Sequence, residues 1–269
     1  MVSGSAFSNP PPADTRRLSM SRRVLFIAPW MSEATFAGTA AALDSGTREF
    51  EPLFKDMECA RFTDPSQWTD WTLDAEVKAI ELLRQRSMID ELDLVGYSGG
   101  AAAALAYAAD HPRRLASLTL IEPPWIGNDG WSEEESAFSE AYDRLADIPS
   151  DEFWEALAGV LNGPGTPAPP PPPVEPDDLK VAFLGVWRGY RATPLDRTKL
   201  RQMTSPAYLP VGEGSARRMR AQAECLAQFL PDARIEVFGG ASHFDIPLVG
   251  AEQLAAGLSR LWKASSRPS

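Results

Sequence analysis

Ser98 stands in Gly96-Tyr97-Ser98-Gly99-Gly100, after the run Leu92-Asp93-Leu94-Val95 and before the alanine-rich stretch Ala101 to Ala109. The first run reads as a short buried strand and the second as a helix, so the serine falls on the turn between them. Gly96 and Gly100 supply the room that so sharp a turn needs. The turn lifts the hydroxyl clear of the sheet, and the positive end of the new helix favours negative charge developing beside it. A serine placed in this way is a candidate nucleophile for acyl transfer, the alternative being a merely structural tight turn. That chemistry requires a base to take its proton, an acid to orient the base, and donors for the oxyanion. The chain has only two histidines, His111 and His243, which narrows the search for the base.

The elements that must position these groups alternate between strand and helix. Arg23 to Ala28 reads as a buried strand that stops at Pro29, and a helix is expected from about Thr35 to Leu43. Phe50 to Phe54 is a second strand, and Cys59 to Trp71 is loop-like, with the turn pair Asp64-Pro65. Leu73, Val77 and Ile80 fall on one face of a helix reaching about Ser87. After the Ser98 turn and its helix, Leu115 to Ile121 is a strand that ends at Glu122-Pro123-Pro124.

From Trp125 to about Lys199 the character changes. This region holds the acidic run Glu133-Glu134-Glu135, read as a solvated helix face, and a Pro-rich segment with five consecutive prolines from Pro169 to Pro173. Such a tract is extended and stiff and cannot lie inside a sheet. A helix from about Asp178 to Arg191 follows. Sheet elements then resume: a strand at Ala207 to Val211, a helix capped by Ser215 with Met219, Ala223, Leu226 and Leu230 on one face, and a strand at Arg234 to Phe238. The loop that holds His243 leads into a last helix, with Leu254, Leu258 and Leu261 on its apolar face. Strands alternating with helices imply a mostly parallel sheet covered on both faces.

The turn at Ser98 resembles the nucleophile elbow of the α/β-hydrolase superfamily. The resemblance covers about residues 23–125 and 201–264, and the segment between them is weakly matched. It implies a reduced α/β-hydrolase fold: an α/β protein with a six-stranded, all-parallel sheet, lacking two strands that usually precede the one beginning near Val24. The expected division is a disordered tail at 1–22, a core at 23–125 and 201–264, and a cap at 126–200 that contains the Pro-rich segment 163–176.

The resemblance also assigns roles. Asp110-His111-Pro112-Arg113-Arg114 is similar to a common helix-end sequence of the family, which gives His111 a structural place. His243, in Gly239-Gly240-Ala241-Ser242-His243-Phe244 after the last strand, occupies the place of the family's base. The acid is open. Most members carry Gly-x-x-Asp after the penultimate strand, where this chain has Gly212-Glu213-Gly214-Ser215, with serine in place of the carboxylate. A branch that includes the haloalkane dehalogenases places its acid after the strand that follows the elbow, and Glu122 stands there, 24 residues beyond Ser98. Glu122 is the first choice, Glu213 the second, and Asp245 or no acid at all the remainder.

The oxyanion donors also depart from pattern. Relatives carry His-Gly where this chain has Ala28-Pro29, and proline has no N–H to give. The expected donors are the backbone N–H groups of Gly99 and Trp30, with Met31 as the alternative, and Trp30 at the rim of the pocket.

Composition bounds the partners. The hydrophobic share of 44 % and charged share of 23 % are those of an ordinary globular protein. A formal net charge of −11 argues against nucleic acid, because phosphates are repelled. No run reaches the ~18 apolar residues of a membrane span. Residues 1–23 lack the apolar core of a secretory signal. Cys59 and Cys225 form neither a disulfide framework nor a metal-ligand spacing, so no cofactor is expected and the cytoplasm is the default compartment.

Trp125, Trp131, Trp154 and Trp187 fall in the cap with Phe138, Tyr142, Phe153, Phe183 and Tyr190. Most belong to the cap's own core, and some must line an aromatic, partly dry pocket. The reading is a cofactor-independent serine hydrolase cleaving an ester or thioester of an apolar small molecule through an acyl-enzyme. Two alternatives stand beside it: the same site used for cyclisation, acyl transfer or elimination, and a non-catalytic small-molecule binding module.

Overall fold

The computed structural model describes residues 22–44, 50–61, 65–129 and 132–265. The expected tail lies outside the described residues except for Arg22, which opens the first strand. Trp131 and Asp64 also lie outside them.

The elements run β1 (Arg22–Ala28), α1 (Ser32–Asp44), β2 (Phe50–Asp56), α2 (Leu73–Arg86), β3 (Leu92–Tyr97), α3 (Gly99–Asp110) and β4 (Leu115–Ile121). Three helices follow, α4 (Glu133–Asp143), α5 (Ser150–Leu161) and α6 (Pro176–Ala192). The chain then forms β5 (Ala207–Gly212), α7 (Arg217–Ala227), β6 (Ala233–Phe238), α8 (Ile246–Val249) and α9 (Ala251–Ser265). The six strands pair in the order β2-β1-β3-β4-β5-β6, every pair parallel. This is the expected six-stranded all-parallel sheet.

A parallel sheet is covered on both faces, and β1 shows how one strand serves two cores. Its odd residues Leu25 and Ile27 join a cluster with α2, α3 and the inserted helices. Its even residues Val24, Phe26 and Ala28 join a second cluster with α1 and α9, including Phe36, Leu254 and Leu258. All five side chains are fully buried, as the two-residue period of a strand between two layers requires. Helix α3 is buried from Gly99 to Ala109. Its alanines let the helix backbone press close to the sheet, which fixes the position of the turn it begins.

The structure corrects several expectations. Helix α1 starts at Ser32, three residues before the expected Thr35. Between Glu58 and Trp71 the loop-like stretch contains two short 3-10 turns, Glu58–Arg61 and Pro65–Asp70. Ser215 does not cap α7: the residue at the cap position is Ala216, with no side-chain bond, and the Ser215 hydroxyl is buried without a hydrogen-bond partner. Ser215 instead sits in a tight turn, its N–H donating to Gly212 O, and it bridges to Asn162.

The acidic run is not a solvated face throughout. Ser132 and Glu135 form a reciprocal capping box at the start of α4. The Glu135 carboxylate, 4 % exposed, is paired at 3.0 Å with Arg197, 8 % exposed. The spacing of a capping box was present in the sequence, but the partner for the buried charge comes from 62 residues further on.

Candidate active site

The ends of β1, β3, β4, β5 and β6 build the site. β3 stops at Tyr97, and Ser98 turns the chain with φ 51° and ψ −122° before α3 begins at Gly99. Side chains rarely adopt that backbone, and holding one there stores strain of order 1–3 kcal/mol. The surroundings enforce it. The Ser98 N–H donates to Ile121 O at 2.9 Å, tying the turn to the end of β4. A Cβ on Gly96 would lie 2.5 Å from Gly100 O, and one on Gly100 would collide with the Ile27 carbonyl. Both glycines are therefore steric requirements of the turn.

Ser98 Oγ lies 3.1 Å from His243 Nε2. His243 Nδ1 lies 2.9 Å from Glu122 Oε2, and both side chains are at most 2 % exposed. The other carboxylate oxygen, Oε1, accepts from Gly212 N–H at 2.7 Å. The structure thus brings Ser98, His243 and Glu122 into one hydrogen-bonded chain, buried at His243 and Glu122 and half-buried at Ser98, contributed by the ends of β3, β4 and the loop after β6. Glu122 itself sits at φ 47°, a second left-handed residue within the site.

The rival carboxylates lie elsewhere. Glu213 is exposed and accepts from Gly240 N–H at 3.1 Å. Asp245 accepts from Ser242 N–H at 2.6 Å and from the Ser242 hydroxyl at 3.0 Å. Both brace the loop that carries His243 without reaching its ring. His111 ends α3 and packs against Tyr107, away from Ser98.

The loop after β1 is held by groups that the sequence did not single out. Ser32 Oγ accepts from Ala28 N–H at 2.9 Å and donates to Lys55 O at 2.7 Å. The Ser32 N–H donates to Asp56 at 2.6 Å. These bonds fix Pro29-Trp30-Met31, with Met31 at φ 53°, beside the elbow. Gly99 is the first residue of α3, so its N–H has no partner within the helix. Trp30 and Gly99 line the same cavity as Ser98, and Trp30 is 39 % exposed, at the rim. Tyr97 was also missed: its hydroxyl donates to His243 O at 2.5 Å and holds the backbone of His243.

Two cavities meet at Ser98. One, of about 470 Å³, runs past Gly99, Met57, Trp68, Tyr142 and Tyr190. The other, of about 360 Å³, lies on the His243 side, against Trp154, Phe244 and Pro247. Trp30, Phe183 and Pro172 border both. The Pro-rich segment thus walls the site. It is pinned there by Trp154 Nε1 donating to Pro169 O at 2.7 Å, and by the Thr166 hydroxyl donating to Gly214 O at 3.0 Å. A larger cavity of about 820 Å³ lies at the opposite ends of the strands, beside Arg113, Pro206 and Arg260, and contains none of Ser98, His243 or Glu122.

Among the described residues no cluster of histidine, cysteine, aspartate or glutamate could hold a metal ion, and no helix is long and apolar enough to cross a membrane.

A six-stranded parallel sheet with helices on both faces, and a serine on the sharp turn between β3 and α3, define a class, and the fold is shared with known proteins. The chain belongs to the alpha/beta hydrolase fold family, whose model matches residues 8–167. A proline iminopeptidase of Heyndrickxia coagulans is 26 % identical over 83 residues, which is 31 % of this chain and 28 % of that protein. The chain therefore matches less than a third of that relative's length. The enol-lactonase of Burkholderia xenovorans LB400 superposes with a TM-score of 0.62 at 16 % identity, covering 90 % of this chain and 91 % of that one. A carboxylesterase of Bacillus subtilis gives 0.55 at 13 % identity, covering 88 % and 83 %. At such identities the two structures speak for the fold alone.

Proposed function

We propose that this protein is a serine hydrolase that cleaves an ester or thioester with an apolar acyl group, through an acyl-enzyme. The observation that carries the reading is the continuous chain from Ser98 Oγ to His243 Nε2 and from His243 Nδ1 to Glu122, opening at Ser98 into a largely apolar cavity. Hydrolase neighbours with esterase, lactonase and peptidase names support the broader class.

In this mechanism His243 Nε2 takes the proton from Ser98 as Oγ bonds to the acyl carbon, and the carbonyl oxygen becomes an oxyanion. The N–H of Gly99 and that of Trp30 receive it. Glu122 keeps the Nδ1 proton facing itself and stabilises the imidazolium. Nε2–H then protonates the leaving oxygen or sulfur as its bond to the acyl carbon breaks. Water, deprotonated by the same nitrogen, attacks the Ser98 ester and releases the acid. Because the leaving atom must be within reach of Nε2, the cavity beside His243 and Trp154 takes the leaving group. The one beyond Gly99 takes the acyl group. Its aromatic and aliphatic walls match an apolar acyl chain rather than a charged one.

A fluorophosphonate probe is expected to add a single label at Ser98, and p-nitrophenyl butyrate to be hydrolysed. Both should vanish in Ser98→Ala. Labelling that persists in Ser98→Ala removes the proposal. Labelling at Ser98 with no turnover of any p-nitrophenyl ester would move the site to acyl transfer or another non-hydrolytic reaction.

A further inference from the structure

The acyl cavity is lined by a polar side chain that has no partner among the described residues and no role in the proposed mechanism. Tyr190, on α6, is 2 % exposed, and its hydroxyl has no hydrogen-bond partner among the described residues. A buried hydroxyl without a partner costs about 1–3 kcal/mol, and such groups in native folds call for an explanation.

The chain makes deliberate room for this side chain. Gly185 and Gly189 are one helical turn apart on α6. A Cβ on Gly185 would lie 2.6 Å from Trp68 O, and one on Gly189 would lie 2.5 Å from the Trp71 ring. These two glycines let α6 press onto the 65–71 segment. Gly99 completes the fit from below, since a Cβ there would approach the Tyr190 hydroxyl to 3.0 Å and Met57 Sδ to 2.8 Å. The ring is also clamped, stacked on Trp125 at 5.7 Å and met edge-on by Trp71 at 5.5 Å. The result is a rigid phenol whose hydroxyl lies against the residue that follows the nucleophile. Burial holds its pKa well above the ordinary tyrosine value, so it is a neutral donor.

We propose that the Tyr190 hydroxyl recognises the substrate by donating a hydrogen bond to an acceptor on the acyl group, at the second or third carbon from the reacting carbonyl. The preferred substrate is then an otherwise apolar acyl ester or thioester bearing a hydroxy, alkoxy or oxo oxygen close to its carbonyl. The inference rests on the acyl-enzyme reading only in placing the acyl group in this cavity. Several features favour it. The hydroxyl lies beside Gly99, so it reaches atoms near the acyl carbon and not the distal end of a chain. The walls around it include Met57, Cys59, Trp68, Leu161 and Val186. The cavity is also lined by Asp178 and Tyr142, but among its lining residues only Tyr190 has a buried polar side-chain atom without a hydrogen-bond partner among the described residues. A fixed, unpartnered polar group in a largely apolar cavity is how such sites set orientation and specificity.

The test uses phenyl methoxyacetate and phenyl butyrate, two esters of equal length that differ by an oxygen or a methylene at the third carbon. The ratio of their kcat/KM values is measured in the wild-type protein and in Tyr190→Phe. Intrinsic reactivity cancels between the two proteins. The methoxyacetate preference is expected to fall about tenfold in Tyr190→Phe, the usual worth of one neutral hydrogen bond. Thermal stability should not fall, and should rise if anything, because no protein partner is lost and an unsatisfied buried hydroxyl is removed. An unchanged ratio overturns the proposal. So does an equal loss on both esters, which would give the hydroxyl to the reacting carbonyl oxygen instead.

If the wild-type protein hydrolyses neither ester, the hydrolase reading is not supported by these substrates. The recognition claim is then decided by binding of the same esters to Ser98→Ala and to Ser98→Ala/Tyr190→Phe, followed by quenching of tryptophan fluorescence. A tenfold drop in the affinity ratio supports it, and equal ratios overturn it.

Discussion

Replacing Glu122 by glutamine tests the site at its most informative atom. The side chain has two partners that make opposite demands on an amide. Oε1 accepts from Gly212 N–H at 2.7 Å, and Oε2 faces His243 Nδ1 at 2.9 Å. Glutamine has one acceptor oxygen. If that oxygen stays with Gly212, the amide NH₂ points at Nδ1, which must then be unprotonated. The ring proton moves to Nε2 and faces Ser98, so the base has no lone pair with which to take the serine's proton. The flipped amide restores the correct tautomer but sets its NH₂ against the Gly212 N–H. That leaves a buried donor unpaired at a cost of about 1–3 kcal/mol, a factor of about 5 to 150 in population. Even then the neutral amide stabilises the imidazolium poorly. Together these give a loss of about 10⁴ in kcat, the size found for the wrong tautomer in serine proteases.

The shape is retained, so Glu122→Gln should unfold at nearly the wild-type temperature. Initial rates with a p-nitrophenyl ester give kcat, and circular dichroism gives the melting point. Glu213→Gln, which alters only an exposed bond to Gly240 N–H, should stay within about tenfold of wild type. If Glu122→Gln keeps more than about a tenth of kcat while Glu213→Gln loses most of it, the reasoning fails at the identity of the acid.

Three further outcomes follow from packing. Gly96→Ala places a methyl against the Gly100 carbonyl and should destabilise the fold by about 3 kcal/mol, read from urea unfolding midpoints; a change under about 0.5 kcal/mol would deny the steric account of the turn. Arg197→Ala leaves the Glu135 carboxylate buried and unpaired, at a cost of about 3–5 kcal/mol in the same assay, with little effect if the pair is in truth solvated. Phe183 borders both cavities, and its ring packs 5.8 Å from Trp30. Phe183→Ala should raise the kcat/KM ratio of p-nitrophenyl octanoate to butyrate about tenfold, and an unchanged ratio would place the acyl chain elsewhere.

The sheet was legible because β1 carries the unbroken apolar run Val24–Ala28 and the other strands are short, mostly apolar segments set between helices with apolar stripes, signals that need no partner to be read. The elbow was legible because only small residues tolerate its backbone, so Gly96 and Gly100 mark it in the sequence. Other features depend on contacts between distant segments. The clamp of Ser32 and Asp56 joins the ends of β1 and β2, and nothing local in either stretch announces it. Glu135 looked like surface because its neighbours are acidic, and only Arg197 explains its burial. The prolines at 169–173 excluded a strand, but composition alone did not place them against the nucleophile.

The acid shows why two positions had to remain open. β4 and β5 are neighbours in the sheet, so their ends flank the same histidine. A carboxylate from either end could face Nδ1, and sequence alone ranks them only by analogy. Here the end of β5 contributes something other than a carboxylate. Gly212 N–H points at Glu122 and holds it toward His243, while Glu213 turns outward to the loop backbone. Gly212 also has no room for a side chain: a Cβ would lie 2.7 Å from Ala241 O and 2.7 Å from Ser215 Oγ. The serine found where a carboxylate was expected is therefore part of a tight turn that brings a backbone donor to the acid. With the carboxylate supplied from β4, the chain needs from β5 only that donor and the space around it.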